Sequence, residues 1–415
     1  MITAVKGTQD TLFPEIGRWQ RVEAAAREVF ARYGFTEIRT PVLEPTELFV
    51  RGIGDETDIV NKEMYTFADR KGRSVTMRPE NTAGVARAVV EHRLHDSPLH
   101  ARLYYIGPQF RYERPQKGRL RQFHQIGAEV LGDAAPGTDA ETIAMLVEFL
   151  EKVGVVGIRV VLNSVGCPNC RPVFIGLLKD ALASRATSLC GDCQRRLETN
   201  PLRVLDCKVP GCQPVLDGAP AIADHLCDPC ALHHEGVKKI LGDQGVPFEE
   251  RARLVRGLDY YTRTVFEVTS SALGAQDALL GGGRYDGLLE QIGGPAMAGF
   301  GWALGVERLL MVVPPDAAGR LPWTYLAWMG DDAYAHALRL ARALRAEGRV
   351  VVLEHAHRSF KSSLKRADKM ACKAVVIIGE EEAASGNYTL KDLDTHEQEA
   401  LGQTALRARL REIAP

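Results

Sequence analysis

Residues 105–130 read YIGPQFRYERPQKGRLRQFHQIGAEV, two apolar, alternating runs around a polar centre. Gln109–Tyr112 and Arg121–Val130 have the period and residue types of strands, and ERPQKGR between them carries turn-forming Pro and Gly. The stretch is expected to fold as a long antiparallel hairpin. Its tip is rich in charge: residues 111–121 hold Arg111, Arg114, Lys117, Arg119 and Arg121 against one acid, Glu113. Guanidinium forks bind phosphate oxygens in pairs, so the hairpin suits an anionic ligand. A solvated hairpin tip is the alternative.

Upstream, residues 17–33 place Val22, Ala26, Val29, Phe30 and Tyr33 at steps of three and four, an amphipathic helix that stops at Gly34. An extended, Pro-punctuated segment follows, and strand patterns recur at Ser74–Met77 and Ala101–Ile106. Downstream, Thr138–Lys152 reads as a helix, with Thr138 and Glu141 fitting a capping box. A strand signal returns at Val265–Thr269, then glycine-rich turns at 281–287 and an apolar helix over Phe300–Val312. Together these describe an antiparallel-sheet α+β domain over residues 1–320. Past Pro314-Pro315 the texture changes, which sets a boundary at 315–322. Strands at Tyr325–Met329, Val350–Leu353 and Ala374–Ile378 alternate with helices across 332–346 and 358–371, and a last strand and helix follow. Residues 322–415 are thus expected to form a small α/β domain with a largely parallel sheet.

The 415 residues carry 52 Lys+Arg against 53 Asp+Glu, a net charge of −1, so any nucleic-acid role must rest on local clusters. No apolar run reaches membrane-spanning length and the N-terminal stretch has no secretory h-region, which points to the cytoplasm. Eight of the nine cysteines fall within residues 167–235, where the secondary-structure rhythm breaks and an insertion is expected. They stand in CPNC (Cys167, Cys170), CGDC (Cys190, Cys193), CKVPGC (Cys207, Cys212) and CDPC (Cys227, Cys230). In a reducing compartment such pairs point to metal before disulfides. Eight thiolates suffice for two structural, tetrahedral zinc sites, with the pairing of the motifs open and plain thiols as the alternative. Cys372 stands apart as a buried thiol.

Three further stretches carry chemistry. In LVRGLDYYTR (254–263), Arg256 sits among apolar residues and needs an anionic partner, either a ligand or an internal acid such as Asp259. In LGGGRYDGL (280–288) the glycines permit close backbone approach or a tight turn. In AGFGWALGVERLLMV (298–312), Glu307 and Arg308 interrupt a buried pattern, where a structural ion pair is the plain reading.

In their order and spacing these stretches resemble the class II aminoacyl-tRNA synthetases, and among them the histidyl-tRNA synthetase family. YGFTEIRTPVLEPTELF (33–49), with Pro41, resembles class II motif 1; FRYERPQKGRLRQFHQ (110–125) resembles motif 2; GVERL (305–309) resembles motif 3. LVRGLDYY and GGGRYD resemble the two stretches peculiar to the histidine enzymes, and TMRPENTA (76–83) belongs to the likeness. It covers nearly the whole chain outside 167–235. Asn81 departs from it, standing where relatives often carry glycine.

The resemblance implies an antiparallel catalytic sheet, a homodimer formed through motif 1, and a C-terminal anticodon-binding domain. It implies joining L-histidine to tRNA(His) through a histidyl-adenylate, with ATP accompanied by Mg2+. By that likeness Arg111 contacts the α-phosphate, Glu113 and Phe123 hold adenine, Arg308 grips the γ-phosphate and Arg119 adds a phosphate contact. Arg256 bridges the α-phosphate and the substrate carboxylate. Glu80, Thr82 and Gln125 match positions for the α-amino group; Glu129, Tyr260 and Tyr261 match the histidine pocket, where Glu129 and Tyr261 address the imidazole. In the C-terminal domain Arg358, Lys361, Lys365 and Lys369 are spaced three, four and four, a basic helix face for which the likeness favours tRNA over plain solvation. The family's pattern assigns the insertion cysteines no role. Two other readings compete: a non-catalytic regulatory paralogue of the kind that partners ATP phosphoribosyltransferase, and a zinc-dependent nucleic-acid-binding protein. Retention of Arg111, Arg256, Arg308 and a full C-terminal domain speaks against the first, and residues 254–263 and 280–288 against the second.

Overall fold

The computed structural model describes residues 2–54, 57–96, 102–273, 278–315 and 321–414. It divides into two compact units, Met1–Pro314 and Pro315–Pro415. Most of the boundary expected at 315–322 lies outside the described residues.

The first unit is built on an eight-stranded sheet. Its strands are β1 (Thr36–Glu37), β2 (Arg102–Phe110), β3 (Gln122–Leu131), β4 (Ile158–Ser164), β5 (Phe248–Glu250), β6 (Thr262–Ser270), β7 (Ala278–Arg284) and β8 (Gly299–Gly305), in the order β1-β2-β3-β8-β7-β6-β4-β5. The six central strands pair antiparallel, and only the short edge strands β1 and β5 pair parallel. The β2–β3 hairpin runs in unbroken register from Arg102 opposite Val130 to Phe110 opposite Gln122. The 105–130 stretch therefore folds as its alternation predicts.

Helices α1 (Glu15–Arg32), α2 (Thr82–Glu91) and α3 (Pro136–Lys152) cover the sheet. On the α1/α3 face Phe30 is fully buried and packs edge-on against Tyr104, Phe149 and Trp302, with ring centroids 5.3, 5.5 and 5.7 Å away. Burial of each such ring contributes about 1.5–3 kcal/mol. Val85, Val89 and the insertion's Phe174, Leu178 and Leu182 pack on the other side.

Three local expectations differ from the structure. The apolar run beginning at Phe300 is strand β8, followed only by a short helix, Val306–Leu309. A central strand with core on both faces is as continuously apolar as a buried helix, so the pattern alone does not separate them. Gly281–Gly283 lie inside β7 rather than in a turn. The capping box is absent: the Thr138 hydroxyl donates to Asp133 at 2.5 Å, and Glu141 pairs with Arg102 at 2.6 Å.

The insertion folds into helices α4 (Arg171–Ala183), α5 (Gly191–Thr199) and α6 (Asp228–Asp243) joined by short turns. No helix among the described residues is long and apolar enough to cross a membrane.

The second unit has strands β9 (Leu321–Trp328), β10 (Val350–Leu353), β11 (Cys372–Ile378), β12 (Asn387–Asp392) and β13 (Gln398–Gly402), ordered β10-β9-β11-β12-β13. Two pairings are parallel and two antiparallel, so the sheet is mixed rather than largely parallel. The added hairpin turns at Asp392, whose carboxylate accepts from the amides of Asp394 and Thr395 at 2.8 and 3.2 Å. Helix α7 (Phe360–Lys369) is capped by Ser359 and packs Phe360, Leu364 and Ala367 on the sheet. Lys361, Lys365 and Lys369 are exposed along its outer side. Arg358 precedes the helix and is paired with Glu354, so the basic face has three members from this set rather than four. Cys372 is fully buried in the sheet.

Candidate active site

The eight-stranded sheet carries a cleft of about 930 Å³. Arg111, Glu113, Arg119, Phe123 and Gln125 reach it from the β2–β3 hairpin, and Glu80 and Thr82 from the start of α2. Arg256, Tyr260 and Tyr261 come from the segment before β6, and Arg308 from the short helix after β8. Glu129 lies one layer behind this lining and is fully buried. Its carboxylate accepts from the hydroxyls of Thr82, at 2.7 Å, and Tyr285, both of which do line the cleft.

The arginines are held in place before any ligand arrives. Arg111 donates from Nε to the Pro79 carbonyl at 2.8 Å, and its guanidinium carbon stands 5.3 Å from the centre of the Phe123 ring. Arg119 lies 3.5 Å from Glu113, which also stands 4.0 Å from Arg111. Arg308 donates from Nε to the Ala278 carbonyl at 2.6 Å. Arg256 pairs with Glu267 of β6, so its internal partner is not Asp259, which instead accepts from the Asn200 amide at 2.8 Å. Nε of Arg256 is buried without a hydrogen-bond partner. Its guanidinium lies flat on Gly281, where a Cβ would fall 2.3 Å from Cζ; the glycine is required by close approach, not by a turn. Glu307 finds its partner on the hairpin. It accepts from the His124 backbone amide at 3.0 Å and faces that imidazole at 3.1 Å, tying the Val306–Leu309 helix to the hairpin.

The polar pocket beneath is shaped by burial. Glu80 accepts from the amides of Thr82 and Ala83 at 2.8 and 2.9 Å, closing the N-terminus of α2, while burial raises its carboxyl above the ordinary value. Oε1 of Gln125 is buried without a partner. Burial carries the Glu129 carboxyl up to about 8, more than the Tyr285 and Thr82 hydroxyls lower it. Burial likewise pushes the Tyr261 phenol up to about 12 and Tyr260 well above the usual range, so both remain neutral donors at pH 7. Gly301 makes room for the buried acid: a Cβ there would fall 1.7 Å from Oε2 of Glu129.

Sequence reasoning did not single out Glu267, Tyr285 or the insertion's Arg203, Asp206 and Lys208, all of which line the cleft. An acid inside the apolar strand Val265–Thr269 was the available signal for Glu267. Arg284 of GGGRYD is fully buried and ion-paired with Asp139 of α3, which also contacts His233 at 2.9 Å; it braces the fold and faces no cleft.

The eight insertion cysteines form two groups, Cys167/Cys170/Cys227/Cys230 and Cys190/Cys193/Cys207/Cys212, each with all sulfurs within 4.8 Å of one another. Sulfur–sulfur separations are 3.8 Å for Cys167–Cys170, 3.7 Å for Cys167–Cys227, 3.9 Å for Cys170–Cys230 and 3.9 Å for Cys190–Cys207. A tetrahedron with bonds of about 2.3 Å has edges of about 3.8 Å, the spacing of a Cys₄ zinc site. All eight are free thiols. At Cys167 burial is outweighed by amide donors from Cys170 and Asn169 and by the neighbouring thiols, which hold it near 6.

Comparison with known proteins identifies relatives of both units. The sequence model of the family described as "Histidyl-tRNA synthetase" matches residues 7–170 and 222–309, and that of the "Anticodon binding domain" matches residues 312–413. The histidine--tRNA ligase of Solibacter usitatus is 52% identical over 411 residues, 99% of this chain and 99% of that protein. The histidine--tRNA ligase of Nitratidesulfovibrio vulgaris strain DP4 is 50% identical over 410 residues, covering 99% of this chain and 98% of its own. Among solved structures, apo S. aureus histidyl-tRNA synthetase aligns with a TM-score of 0.82 at 35% identity, over 99% of this chain and 100% of that one.

Proposed function

This chain belongs to the histidyl-tRNA synthetase family and charges tRNA(His) with histidine, and we propose that Arg111, Arg256 and Arg308 are the cations that carry the reaction in the cleft. The observation behind this reading is that three guanidinium groups, from three separate parts of the sequence, surround one cleft beside a pocket of neutral hydroxyls and an unpartnered carboxamide oxygen. We assign residues 1–320, with the insertion at about 167–235, to catalysis and 322–415 to anticodon binding.

An oxygen of the histidine carboxylate attacks the α-phosphorus of ATP in line. The new acyl–phosphate bond forms as the bond to the bridging oxygen breaks, and pyrophosphate leaves. The 3′ end of the tRNA then attacks the acyl carbon through a hydroxyl, and AMP departs. Two anions must meet in the first step, so catalysis is chiefly positioning and charge neutralisation. Arg111 and Arg256 flank the meeting point, and Arg308 and Arg119 hold the departing phosphates. Glu113 and Phe123 seat adenine. Glu80, Thr82 and the orphan Oε1 of Gln125 accept from the α-ammonium group. Glu129, Tyr260 and Tyr261 form the histidine pocket, where a carboxyl and a phenol suit the two unlike nitrogens of imidazole. A site built on paired polar groups rejects analogues that lack those nitrogens.

Histidine-dependent ATP–pyrophosphate exchange tests the assignment. Arg256→Ala is expected to bind histidine and lose exchange by about 10²–10³-fold, the scale of removing one preorganised charge-stabilising donor. Near-normal exchange in that variant refutes the role.

Mg2+ bound with the phosphates of ATP would add charge neutralisation there, and Glu63 of the cleft offers an oxygen donor of the kind it takes. The two cysteine groups hold structural zinc, a reading supported by their tetrahedral spacing. Reduced thiol clusters suit the cytoplasm. The protein acts as a homodimer through the motif 1 region, where Leu43, Val50 and the neighbouring Phe67 expose apolar surface at 49%, 37% and 46%.

A further inference from the structure

The insertion is more than an appendage, because one of its cysteine groups frames a segment that forms part of the catalytic cleft. Cys190 and Cys193 stand at the start of α5, and Cys207 and Cys212 follow after a short turn, so residues 194–206 are pinned at both ends by one tetrahedral group. That segment faces inward. Arg196 lies 3.6 Å from Asp58, the Asn200 amide donates to Asp259 at 2.8 Å, and Arg203 lines the cleft. Asp58 and Arg203 both belong to the cleft wall, and Asp259 lies in the same segment as Arg256.

Arg203 has the features of a ligand-binding cation. Its Nη1 is buried without a hydrogen-bond partner and lies 3.0 Å from the point where a Cβ on Gly257 would sit, directly over the backbone next to Arg256. An unpaired guanidinium nitrogen with its water removed is costly unless an anion completes it. The anions that enter this cleft carry phosphate oxygens, the natural partners of an arginine fork. The other cysteine group plays a different part. Cys167/Cys170 follow β4 and Cys227/Cys230 open α6, so that group closes the base of the insertion.

We propose that the Cys190/Cys193/Cys207/Cys212 group binds a zinc ion that fastens Arg203 over the cleft as an additional phosphate-binding residue. This rests on the zinc reading and on the synthetase activity given above. The phosphate belongs either to ATP or to the 3′ end of the tRNA, and the two half-reactions separate these sources. Between the cysteines, residues 194–206 send only Leu197, Val204 and Leu205 fully into the core, so a bound metal adds order to a segment held by few buried side chains.

The test combines metal analysis with kinetics on the full-length protein. Zinc measured by atomic absorption is expected at two per chain in the wild type, two in Arg203→Ala, and one each in C190S/C193S and C167S/C170S. In histidine-dependent ATP–pyrophosphate exchange, Arg203→Ala is expected to raise KM for ATP about tenfold with kcat less changed, the scale of one charge-assisted hydrogen bond. Arg203→Lys is expected to restore part of it. A loss confined to transfer of histidine to tRNA also supports the residue's role and assigns the phosphate to the tRNA end. Unchanged exchange and unchanged transfer in Arg203→Ala overturn it. C190S/C193S is expected to keep one zinc and share whichever defect Arg203→Ala shows, in exchange or in transfer; one zinc with both steps unchanged overturns the link between metal and cleft. Fewer than two zinc ions in the wild type overturn the metal reading, while Arg203→Ala still reports on Arg203. Absence of histidine-dependent exchange in the wild type would instead overturn the activity on which both rest.

Discussion

Replacing Glu129 by Gln offers the sharpest test of the buried histidine pocket. The carboxyl is wholly enclosed; its neighbours are the Thr82 and Tyr285 hydroxyls, with Glu80, Tyr105 and Tyr261 nearby as further titratable groups. It titrates at about 8 in the folded protein against an ordinary 4.5. At about 1.4 kcal/mol for each tenfold change in proton affinity, that displacement corresponds to roughly 5 kcal/mol. Between the two values the folded protein holds a proton that the unfolded chain has released, so stability falls as pH rises through this window and levels off above it. Gln is nearly isosteric, never ionises, and can still bond to both hydroxyls. The difference in stability between Glu129→Gln and wild type is therefore expected to grow in the variant's favour by several kcal/mol from pH 5 to pH 8. The assay is denaturant unfolding of the full chain across that range, following the transition of the catalytic unit. Saturating histidine should flatten the wild-type curve, because an imidazole N–H donated to Glu129 favours its ionised form. The variant is expected to need more histidine for pyrophosphate exchange. Parallel pH profiles for the two proteins would refute the account of a carboxyl raised by burial.

Two further outcomes follow from the geometry. Gly281→Ala places a methyl 2.3 Å from Cζ of Arg256, so it is expected to reproduce the exchange defect of Arg256→Ala while leaving histidine binding intact; normal exchange would show that Arg256 acts elsewhere. Changing Lys361, Lys365 and Lys369 together to Glu is expected to raise KM for tRNA about tenfold or more and weaken its salt dependence, with pyrophosphate exchange untouched; an unchanged tRNA KM would make that face a solvated one.

The chemistry of this chain was more legible in its sequence than its local structure was. The hairpin at 105–130 could be read because alternation, a Pro/Gly turn and concentrated arginines all agree. The strand at Gly299–Gly305 could not, since a strand buried on both faces loses the alternation that marks it. The triple glycine was misplaced for a related reason. Gly281 serves the close packing of Arg256 inside a sheet, and a one-dimensional reading cannot tell that from a turn. Partners distant in sequence were also hidden. Nothing near Arg256 names Glu267 over Asp259, and nothing in CKVPGC says that it joins CGDC and not CPNC. Spacing gives the number of metal ligands, whereas their assignment to sites is decided by which helices meet.

The net charge of −1 finds its physical meaning in the cleft. Seven Lys or Arg and six Asp or Glu side chains line it, so the site has little excess charge of its own. A cluster of bare guanidinium groups would repel one another and disorder the hairpin. Pairing Arg256 with Glu267, and Arg119 with Glu113, offsets that repulsion and fixes the forks, while Arg111 and Arg308 are each anchored at Nε to a backbone carbonyl. Anchoring through Nε orients the terminal nitrogens of Arg111, so ATP meets a donor already aimed and little reorganisation remains for the chemical step. Arg256 is the exception, because its Nη1 is engaged by Glu267 and must share or exchange that contact when substrate phosphate and carboxylate arrive. Its role as the bridging cation is therefore coupled to an acid that the substrate has to outcompete. Glu267→Gln should then lower KM for ATP while leaving the fold intact, and a raised KM would show that the acid's part is to hold Arg256 in position.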